Sequence, residues 1–312
     1  MTEPASDGDG GSARAALRSC WELACVLNFF DTFGPILALE EEPTAEALED
    51  ALLEVGSTQP LLHALHRSLL QGMHPRTVIR SWRVTLAEKL HHAWPDLGEG
   101  PNPFATPAAE AEEAYDRLPA VQRVRALRAL CELRLDARGD LRGCVDGEQE
   151  GARDAANFHG PPALGQDNRG QRYYYQDLES GPRLYRERSR VGAPVPRTLV
   201  YLRRRHDGTT ARKEMQYVQP GPMLLEAWEL VATTGEAVTA LAEQLAADKF
   251  PGSRNARLCG QLHEVATAVA AKRKADELRR ARQARQAAEL NFGNILWCAL
   301  AWQGRGVSSM RR

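Results

Sequence analysis

The chain has 312 residues and a formal net charge of -1, so it is long enough for two ordinary domains and is not a uniformly basic nucleic-acid binder. Its six cysteines are scattered without a Cys-x-x-Cys pair, which argues against a disulfide framework and a cysteine-rich zinc site. No apolar run approaches the roughly 20 residues that a membrane span needs, and the first residues lack the basic and then apolar order of a secretory signal. We therefore expect an intracellular protein with no membrane segment.

The balanced charge conceals two regions of opposite sign. Residues 1–50 hold eleven acidic residues and two basic ones, whereas residues 183–213 hold ten basic residues and two acidic ones. The first region repels phosphate and the second attracts it, so the second is the candidate for nucleic-acid contact. Within the acidic region, residues 1–14 are small and glycine-rich, and we expect them to be a disordered leader.

Aromatic and aliphatic residues at three- and four-residue spacings predict four helices over residues 15–94. Gly34 marks the end of the first helix, and Thr44 is a suitable N-cap for the second. Pro60 and Pro75 are predicted to open the third and fourth helices, because proline suits the first helical position.

A Pro/Gly linker is predicted over residues 95–115, where the sequence reads PDLGEGPNPFATP. The segment LPAVQRVRALRALCELRLD follows, with leucine and valine on one helical face and arginines on the other. It is the most regular helical pattern in the chain.

The spacing of apolar residues changes from a helical to a strand-like pattern at LGQDNRGQRYYYQD. Asp167 and Gly170 fit positions i and i+3 of a type I turn, and the flanking aromatic residues favour strands. We predict a β-hairpin in which Tyr173 and Tyr175 share one face and Tyr174 lies on the other.

A second hairpin is predicted where RTLVYLRRR and KEMQYV flank Asp207-Gly208. From Met223 onward the pattern predicts helices again, and the last of them is strongly basic over residues 261–290. The tail at 291–312 has an apolar patch to which the pattern assigns no role.

Catalytic and ligand-binding motifs are missing from the sequence. It contains no glycine-rich phosphate loop, metalloprotease or serine-hydrolase motif, kinase signature or metal-spaced cluster, so we predict no enzyme activity, cofactor, metal or small-molecule substrate. The pairs His63/His66 and His91/His92 are conceivable metal ligands, but histidines on helices are more often solvated or at the edge of a core.

Five segments in this order resemble one known family. CWELACVLNFFDTFGPILAL with TAEALEDALL, and then LLHALHRSLLQG, resemble a DDT domain. LPAVQRVRALRALCELRLD resembles a first WHIM motif, the hairpin segment a second with its Gly-x-Asp signature at Gly165 and Asp167, and AWELVATTGEAVTALAEQL a third. Together they cover most of residues 18–270. The chain thus resembles the DDT-domain, WHIM-motif proteins that accompany ISWI-type chromatin-remodelling ATPases, including plant-type DDT-related subunits and the N-terminal region of the cat-eye-syndrome-region bromodomain protein.

The resemblance implies a mainly α fold. A multi-helix DDT domain would occupy residues 15–94, and a helical WHIM region with one or two small β-hairpins would occupy residues 116–260, before the basic helix. It also implies a non-catalytic accessory subunit in the nucleus, which binds the ATPase and linker DNA and thereby helps to position nucleosomes and regulate transcription. The chain departs from the family at Tyr174, where tryptophan is usual.

The resemblance and the local chemistry together give two sets of candidate site residues. Each has a structural alternative, since buried tyrosines are commonly core, a loop aspartate commonly holds a turn, and arginines commonly cover a solvated face. The candidates for binding the ATPase are Gly165, Asp167, Tyr173, Tyr174, Leu184, Tyr185 and Trp228, and those for binding DNA are Arg203, Arg204, Arg205, Lys272, Arg273 and Lys274.

Two other functional classes stay open on the sequence. One is a stand-alone DNA- or nucleosome-binding transcriptional regulator that uses the basic residues, and the other is an enzyme of unfamiliar type.

Overall fold

A computed structural model describes residues 8–37, 39, 43–54, 59–97, 101–104, 111–137, 141, 161–204, 210–219, 223–248 and 250–305. Helices come first: α1 (Gly8–Arg18), α2 (Trp21–Phe33), α3 (Ala45–Leu53), α4 (Pro60–Met73), α5 (Trp82–Leu97), α6 (Ala111–Arg117) and α7 (Ala120–Asp136). Then come β1 (Ala163–Gln166), β2 (Arg172–Leu178), β3 (Gly181–Val191), β4 (Val195–Arg204), β5 (Thr210–Gln219), β6 (Met223–Ala232), α8 (Gly235–Ala246) and α9 (Arg254–Arg305). The predicted mainly α fold with small antiparallel β elements is confirmed.

The beginning of the chain is more ordered than predicted. Helix α1 starts at Gly8, inside the leader that was expected to be disordered over 1–14. It is fixed because Leu17 is fully buried and Arg14 forms an ion pair with Glu49 of α3 at 3.3 Å. The expectation of disorder is therefore wrong from Gly8 onward, and the preceding residues lie outside the described part.

Two of the predicted helix starts are confirmed and one is wrong. The Thr44 hydroxyl accepts a backbone N–H in the first turn of α3 at 3.2 Å, and Pro60 occupies the first turn of α4. Helix α5 begins at Trp82 and not directly after Pro75. The Ser81 hydroxyl accepts a backbone N–H in the first turn at 3.5 Å, so a serine and not the proline marks this start.

Helix α7 lies at the centre of the N-terminal half, where it contacts α1, α2, α3, α4 and α5. Its Leu127 and Leu130 are fully buried. The arginines expected on the opposite face are not all exposed, since Arg123 and Arg134 are 4% and 2% exposed. Arg123 donates hydrogen bonds to carbonyl oxygens at the C-terminal end of α3, which have no partner within that helix. The segment that resembles a first WHIM motif thus shares the core of the DDT-like helices.

The predicted linker over 95–115 also contributes to this core. Phe104 and Tyr115 are 1% and 2% exposed. The Tyr115 ring packs edge-on against Trp82 and His66, with centroid distances of 4.8 and 5.3 Å. Among the described residues, those on both sides of the predicted linker, and Phe104 and Tyr115 within it, therefore belong to one core cluster.

Strands β1, β2, β3 and β6 form an antiparallel sheet in the order β1-β2-β3-β6. The register pairs Tyr174 with Tyr185 and Tyr175 with Leu184, so successive pairs lie on opposite faces. One face packs Tyr185 against Ala24 of α2, and the other packs Leu184 against α8 and α9. The sheet is a middle layer between the N-terminal helices and the C-terminal helix pair.

Residues 223–232 form strand β6, so the helix predicted from Met223 is wrong up to α8. The apolar residues of this segment fit a helical period as well as a strand, which made the local pattern ambiguous. Pairing with β3 decides the outcome: Trp228 lies opposite Glu187, and Leu230 lies opposite Tyr185. The strand completes a sheet that a local pattern does not reveal.

Beyond the sheet, β4 and β5 pair as a two-stranded antiparallel ribbon, which confirms the second hairpin. Its predicted Asp207-Gly208 turn lies outside the described residues. Helix α9 is 52 residues long and contains the whole basic helix predicted at 261–290. It continues into the tail at 291–312 as far as Arg305.

Candidate functional site

The turn between β1 and β2 is built around Asp167. Its Oδ1 accepts the backbone N–H groups of Arg169 at 2.9 Å and Gln171 at 2.8 Å, and its backbone carbonyl accepts the N–H of Gly170 at 3.1 Å. Gly170 has a φ of 84°, which glycine adopts without steric cost. The predicted turn from Asp167 to Gly170 is confirmed. The Asp167 side chain is 3% exposed, so it holds the turn from inside.

Gly165 lies where β1 and α9 approach each other most closely. A Cβ atom at this position would be 2.8 Å from Oε1 of Gln261 and 3.2 Å from Cδ1 of Leu258. Both distances are shorter than ordinary van der Waals contact, so a side chain would require the exposed Gln261 amide to swing aside and Leu258 to shift by a few tenths of an ångström. The Gly-x-Asp pair therefore has two structural functions: close packing on α9 and formation of the turn.

The three consecutive tyrosines pack on both faces of the sheet, as the predicted alternation requires. Tyr173 is 1% exposed and packs with Tyr175 toward α8 and α9. Tyr174 lies on the other face, with its ring centroid 5.1 Å from that of Trp228, and its hydroxyl donates to Glu187. Partial burial and the Glu187 carboxylate raise the pKa of Tyr174 above its ordinary value of 10.0.

Most of the predicted partner-binding side chains are buried. Of the seven, five are less than 9% exposed: Asp167, Tyr173, Leu184, Tyr185 and Trp228. The Tyr185 and Trp228 rings stack with centroids 5.2 Å apart. These five side chains form the interior of the sheet layers and do not present a contact surface, while Gly165 and Tyr174 are partly exposed.

A buried ion pair joins the sheet to the N-terminal helices, and no pattern in the sequence predicted it. Arg183 of β3 and Glu49 of α3 are 2% and 0% exposed in their side chains, and their charged atoms are 2.8 Å apart. Arg18 pairs with the same carboxylate at 2.8 Å. Burial opposes ionisation of Glu49, but the hydrogen bond from Arg18 and the charge of Arg183 lower its pKa overall. The sequence offers one indication of this pair: Arg183 lies two positions before Tyr185, so both side chains lie on the same inward face of β3.

The basic region that begins at Arg183 is partly neutralised by acidic residues of β6. Arg203 and Arg204 lie at the end of β4, opposite Ala211 and Thr210 of β5, and Arg205 lies outside the described residues. The cations of β3 that β6 neutralises form the ion pairs Arg186–Glu229, Arg188–Glu229 and Arg190–Glu226.

Two of the three DNA-binding candidates on α9 form ion pairs within the protein. Lys272 pairs with Asp177 of β2 at 2.9 Å, and Arg273 pairs with Glu236 of α8 at 3.2 Å. Lys274 is exposed and forms no ion pair with any described side chain. The first two therefore attach α9 to its neighbours.

Further along α9, the arginines are free of such pairing. Arg280, Arg282 and Arg285 are exposed. None of them forms an ion pair with a side chain for which the structure gives a position. This part of the helix carries its positive charge into solvent.

Metal sites and membrane spans are not found within the described ranges. No group of three or more His, Cys, Asp or Glu residues is arranged to hold a metal ion there. His66, a conceivable ligand with His63, is fully buried, and its Nδ1 donates to the carbonyl of Leu62 at 2.7 Å. None of the helices in the same ranges is both long and apolar enough to cross a bilayer.

The chain is 34% identical over 176 residues to the DDT domain-containing protein DDR4 of Arabidopsis thaliana. This similarity supports a DDT-domain protein. The alignment takes in 55% of this chain and 23% of DDR4, so the chain spans about a quarter of that relative. No protein-family model matches the chain, and no solved structure matches it.

Proposed function

We propose that this DDT-domain protein is a non-catalytic accessory subunit of an ISWI-type chromatin-remodelling complex and acts in the nucleus. The similarity to a DDT domain-containing protein supports a chromatin-related, nuclear role. The WHIM-like segments, which pack against the DDT-like helices, support the role as an accessory subunit. The subunit binds the ATPase and linker DNA, and in this way contributes to nucleosome positioning and transcriptional regulation.

The observation that carries the proposal is the joint packing of the DDT-like and WHIM-like segments. Helix α7 lies in the core of the DDT-like helices, and the Arg183–Glu49 pair joins the hairpin sheet to the same helices. A surface composed of both parts is therefore held in one fixed geometry, which lowers the entropic cost of binding a large partner. Such a rigid surface suits a scaffold subunit.

The contact with the ATPase is assigned to the rim of the hairpin and not to its buried side chains. Asn168 and Arg169 at the turn are exposed, and Gly165 and Tyr174 are partly exposed. The turn is also fixed to α9, because the Asn168 N–H donates to Oδ1 of Asn255 at 2.7 Å. The buried residues then act by keeping this rim in position.

Linker DNA is assigned to the exposed part of α9 beyond Lys274. Arg280, Arg282 and Arg285 extend into solvent on a helix that projects beyond the packed layers. Cations that neutralise phosphates release condensed counterions, so this contact should weaken steeply as salt increases.

A binding measurement with the purified ATPase tests the proposal. The full chain, mixed with an ISWI-type ATPase, should elute as a stoichiometric complex in size-exclusion chromatography. Neither protein by itself should elute at that volume. Absence of a complex at micromolar concentrations would contradict the assignment. Gly165 and Asp167 are unsuitable for a first interface variant, because changing either also disturbs α9 packing or the turn.

The exposed arginines of α9 also favour a second candidate function, a stand-alone DNA- or nucleosome-binding regulator. Mobility shifts with a duplex of about 25 base pairs should be lost when Arg280, Arg282 and Arg285 are replaced by glutamate, and should weaken with salt. DNA binding without an ATPase complex would favour this second function, and no shift at low salt would remove it.

A further inference from the structure

A groove of about 320 Å³ lies between strand β1 and the first turns of α9. It is adjacent to the Gly-x-Asp turn but outside it, and no sequence pattern predicted its helical wall. Its lining consists of Leu164, Gly165 and Gln166 on the strand and Arg254, Arg257, Leu258 and Gln261 on the helix.

The base of the groove is the close approach of Gly165 to Leu258. Leu258 is fully buried, so it closes the groove without offering surface of its own, and Leu164 is partly buried. A Cβ at Gly165 would come within 3.2 Å of Leu258. The glycine therefore allows the helix to lie close to the strand at this point.

The helical wall of the groove carries two positive charges without acidic partners. Arg254 and Arg257 are both exposed and stand three residues apart, so they lie on the same side of α9. Neither forms an ion pair with any side chain of known position. In contrast, the β3 arginines Arg186, Arg188 and Arg190 are all paired within the protein. An unpaired arginine pair beside a groove is a recognition element for carboxylates.

The other wall is the edge of the sheet. Strand β1 pairs with β2, and among the described strands it has no neighbour on its other side. The outer edge of such a strand offers backbone donors and acceptors to an incoming extended segment, which is the basis of β-strand addition. A groove with a strand edge on one side therefore suits a peptide in extended conformation.

We propose that this groove binds an extended, acidic segment of the partner ATPase, with carboxylates held by Arg254 and Arg257 and the backbone of the segment paired with the outer edge of β1. The inference rests on the proposed function, because it names the chemistry of the partner at that surface. A peptide fits better than nucleic acid, because a phosphate backbone cannot pair with the strand edge.

The test uses the full chain with a charge-reversal variant and a matched control. The variant is R254E/R257E. The control is R76E/R80E, which has the same charge change at two exposed arginines between α4 and α5, outside the groove. Far-ultraviolet circular dichroism and urea unfolding should show both variants folded like the native chain, since all four side chains are exposed.

Two binding measurements separate this inference from the proposed function. The first is the affinity of each chain for the purified ATPase. The second is fluorescence anisotropy of a labelled peptide of about ten alternating Glu and Thr residues, with a Gln/Thr peptide as the neutral control. We expect R254E/R257E to weaken both interactions about tenfold or more, and R76E/R80E to change either by less than about twofold.

The possible outcomes are distinct. If the ATPase complex forms equally with both variants, the groove inference is wrong and the proposed function stands. If the native chain binds no ATPase, the proposed function fails, and loss of Glu/Thr binding in R254E/R257E alone would still support the groove. If the native chain does not bind the Glu/Thr peptide, or if duplex DNA displaces it more strongly than excess unlabelled peptide, the acidic-peptide assignment is overturned.

Discussion

The two faces of the central sheet are attached to their neighbouring helices by different physical means. The face toward the N-terminal helices includes charged and polar contacts, with Arg183 against Glu49 and the Gln176 amide donating to the Ala24 carbonyl at 3.4 Å. The face toward α8 and α9 is packed by apolar side chains, with Leu184 at its centre. The first interface adds a buried charge pair to its aromatic packing, whereas the second depends mainly on apolar packing.

The difference shows where each interface is sensitive. A buried ion pair adds little net stability but is costly to break, because the remaining charge has no water and no counter-charge. An apolar interface has no such partner requirement, but close packing makes it sensitive to added volume. Gly165, next to Leu258, is the point at which added volume is expected to matter most.

Removing one partner of the buried pair should have the largest effect. We expect R183M to lower the free energy of unfolding by about 3 kcal/mol, because it leaves the Glu49 carboxylate in the interior with less compensation. R188M, on the same strand, removes a cation that is 48% exposed, and should cost less than about 1 kcal/mol. Urea unfolding of both variants measures the difference between the two losses of stability. Equal losses would mean that the interface between the sheet and the N-terminal helices does not depend on the buried charge pair.

The same pair should make this interface sensitive to acid. The pKa of Glu49 is lowered in the fold from its ordinary value of 4.5, so the unfolded chain takes up the proton first as the pH falls. The stability that the ionised carboxylate provides is present above pH 4.5 and is lost as the pH falls through the lowered pKa. The stability difference between the native chain and E49Q should therefore narrow below pH 4.5.

Comparison with E49Q also removes the contribution of His66, a second buried titratable group. Burial lowers the pKa of His66 to about 4 from 6.5, so His66 itself weakens the fold as the pH falls below 6.5. His66 is present in both chains, and its effect cancels in the difference. If the stability difference between the native chain and E49Q stays constant from pH 7 to pH 3, the lowered pKa of Glu49 in the fold is contradicted.

Added volume on the α9 side should have a moderate effect. We expect G165A to lower the free energy of unfolding by about 1 kcal/mol, because its Cβ would displace Gln261 and Leu258. G260A places the same methyl group on α9 with nothing within 4 Å, and should raise stability by roughly 0.5–1 kcal/mol through helix propensity. Chemical denaturation checks the opposite signs of the two changes in the free energy of unfolding. A stabilising G165A would show that the contact between β1 and α9 can accept a methyl group without strain.

Removing the exposed ion pair on the α9 side should have the smallest effect. Lys272 and Asp177 are 44% and 47% exposed in their side chains, so K272A should change the free energy of unfolding by less than about 0.5 kcal/mol. Thermal unfolding at low and high salt measures this change. A cost near that of R183M would mean that charge, and not apolar packing, also holds α9 to the sheet.

The local features of the candidate site could be read from the sequence. The turn from Asp167 to Gly170 follows from residue types that favour it, and the alternation of the three tyrosines follows from the two-residue repeat of a strand. The Thr44 cap and the Pro60 start are also local. Each depends on residues within a few positions of one another, so a short window of sequence contains all the necessary information.

The positions of the charged residues could not be read in this way. Arg123 and Arg134 lie among apolar residues in a regular helical pattern, which predicts an exposed polar face, yet both are buried. Arg183 looked like part of a basic surface, but its partner, Glu49, comes from the acidic first fifty residues. Arg183, from the basic region, thus pairs with the acidic region at the contact between β3 and α3.

The sequence by itself determined most of the helices, the hairpin turn, the mainly α class and the resemblance to DDT-domain proteins, because these depend on spacing and local chemistry. The tertiary structure decided that α7 lies inside the DDT-like core, that residues 223–232 are a strand, and that most of the predicted contact residues are buried. It also decided that Arg254 and Arg257 line an open groove beside Gly165. These outcomes depend on which distant segments meet, and the packing and pairing energies that select them come from residues far apart in the chain.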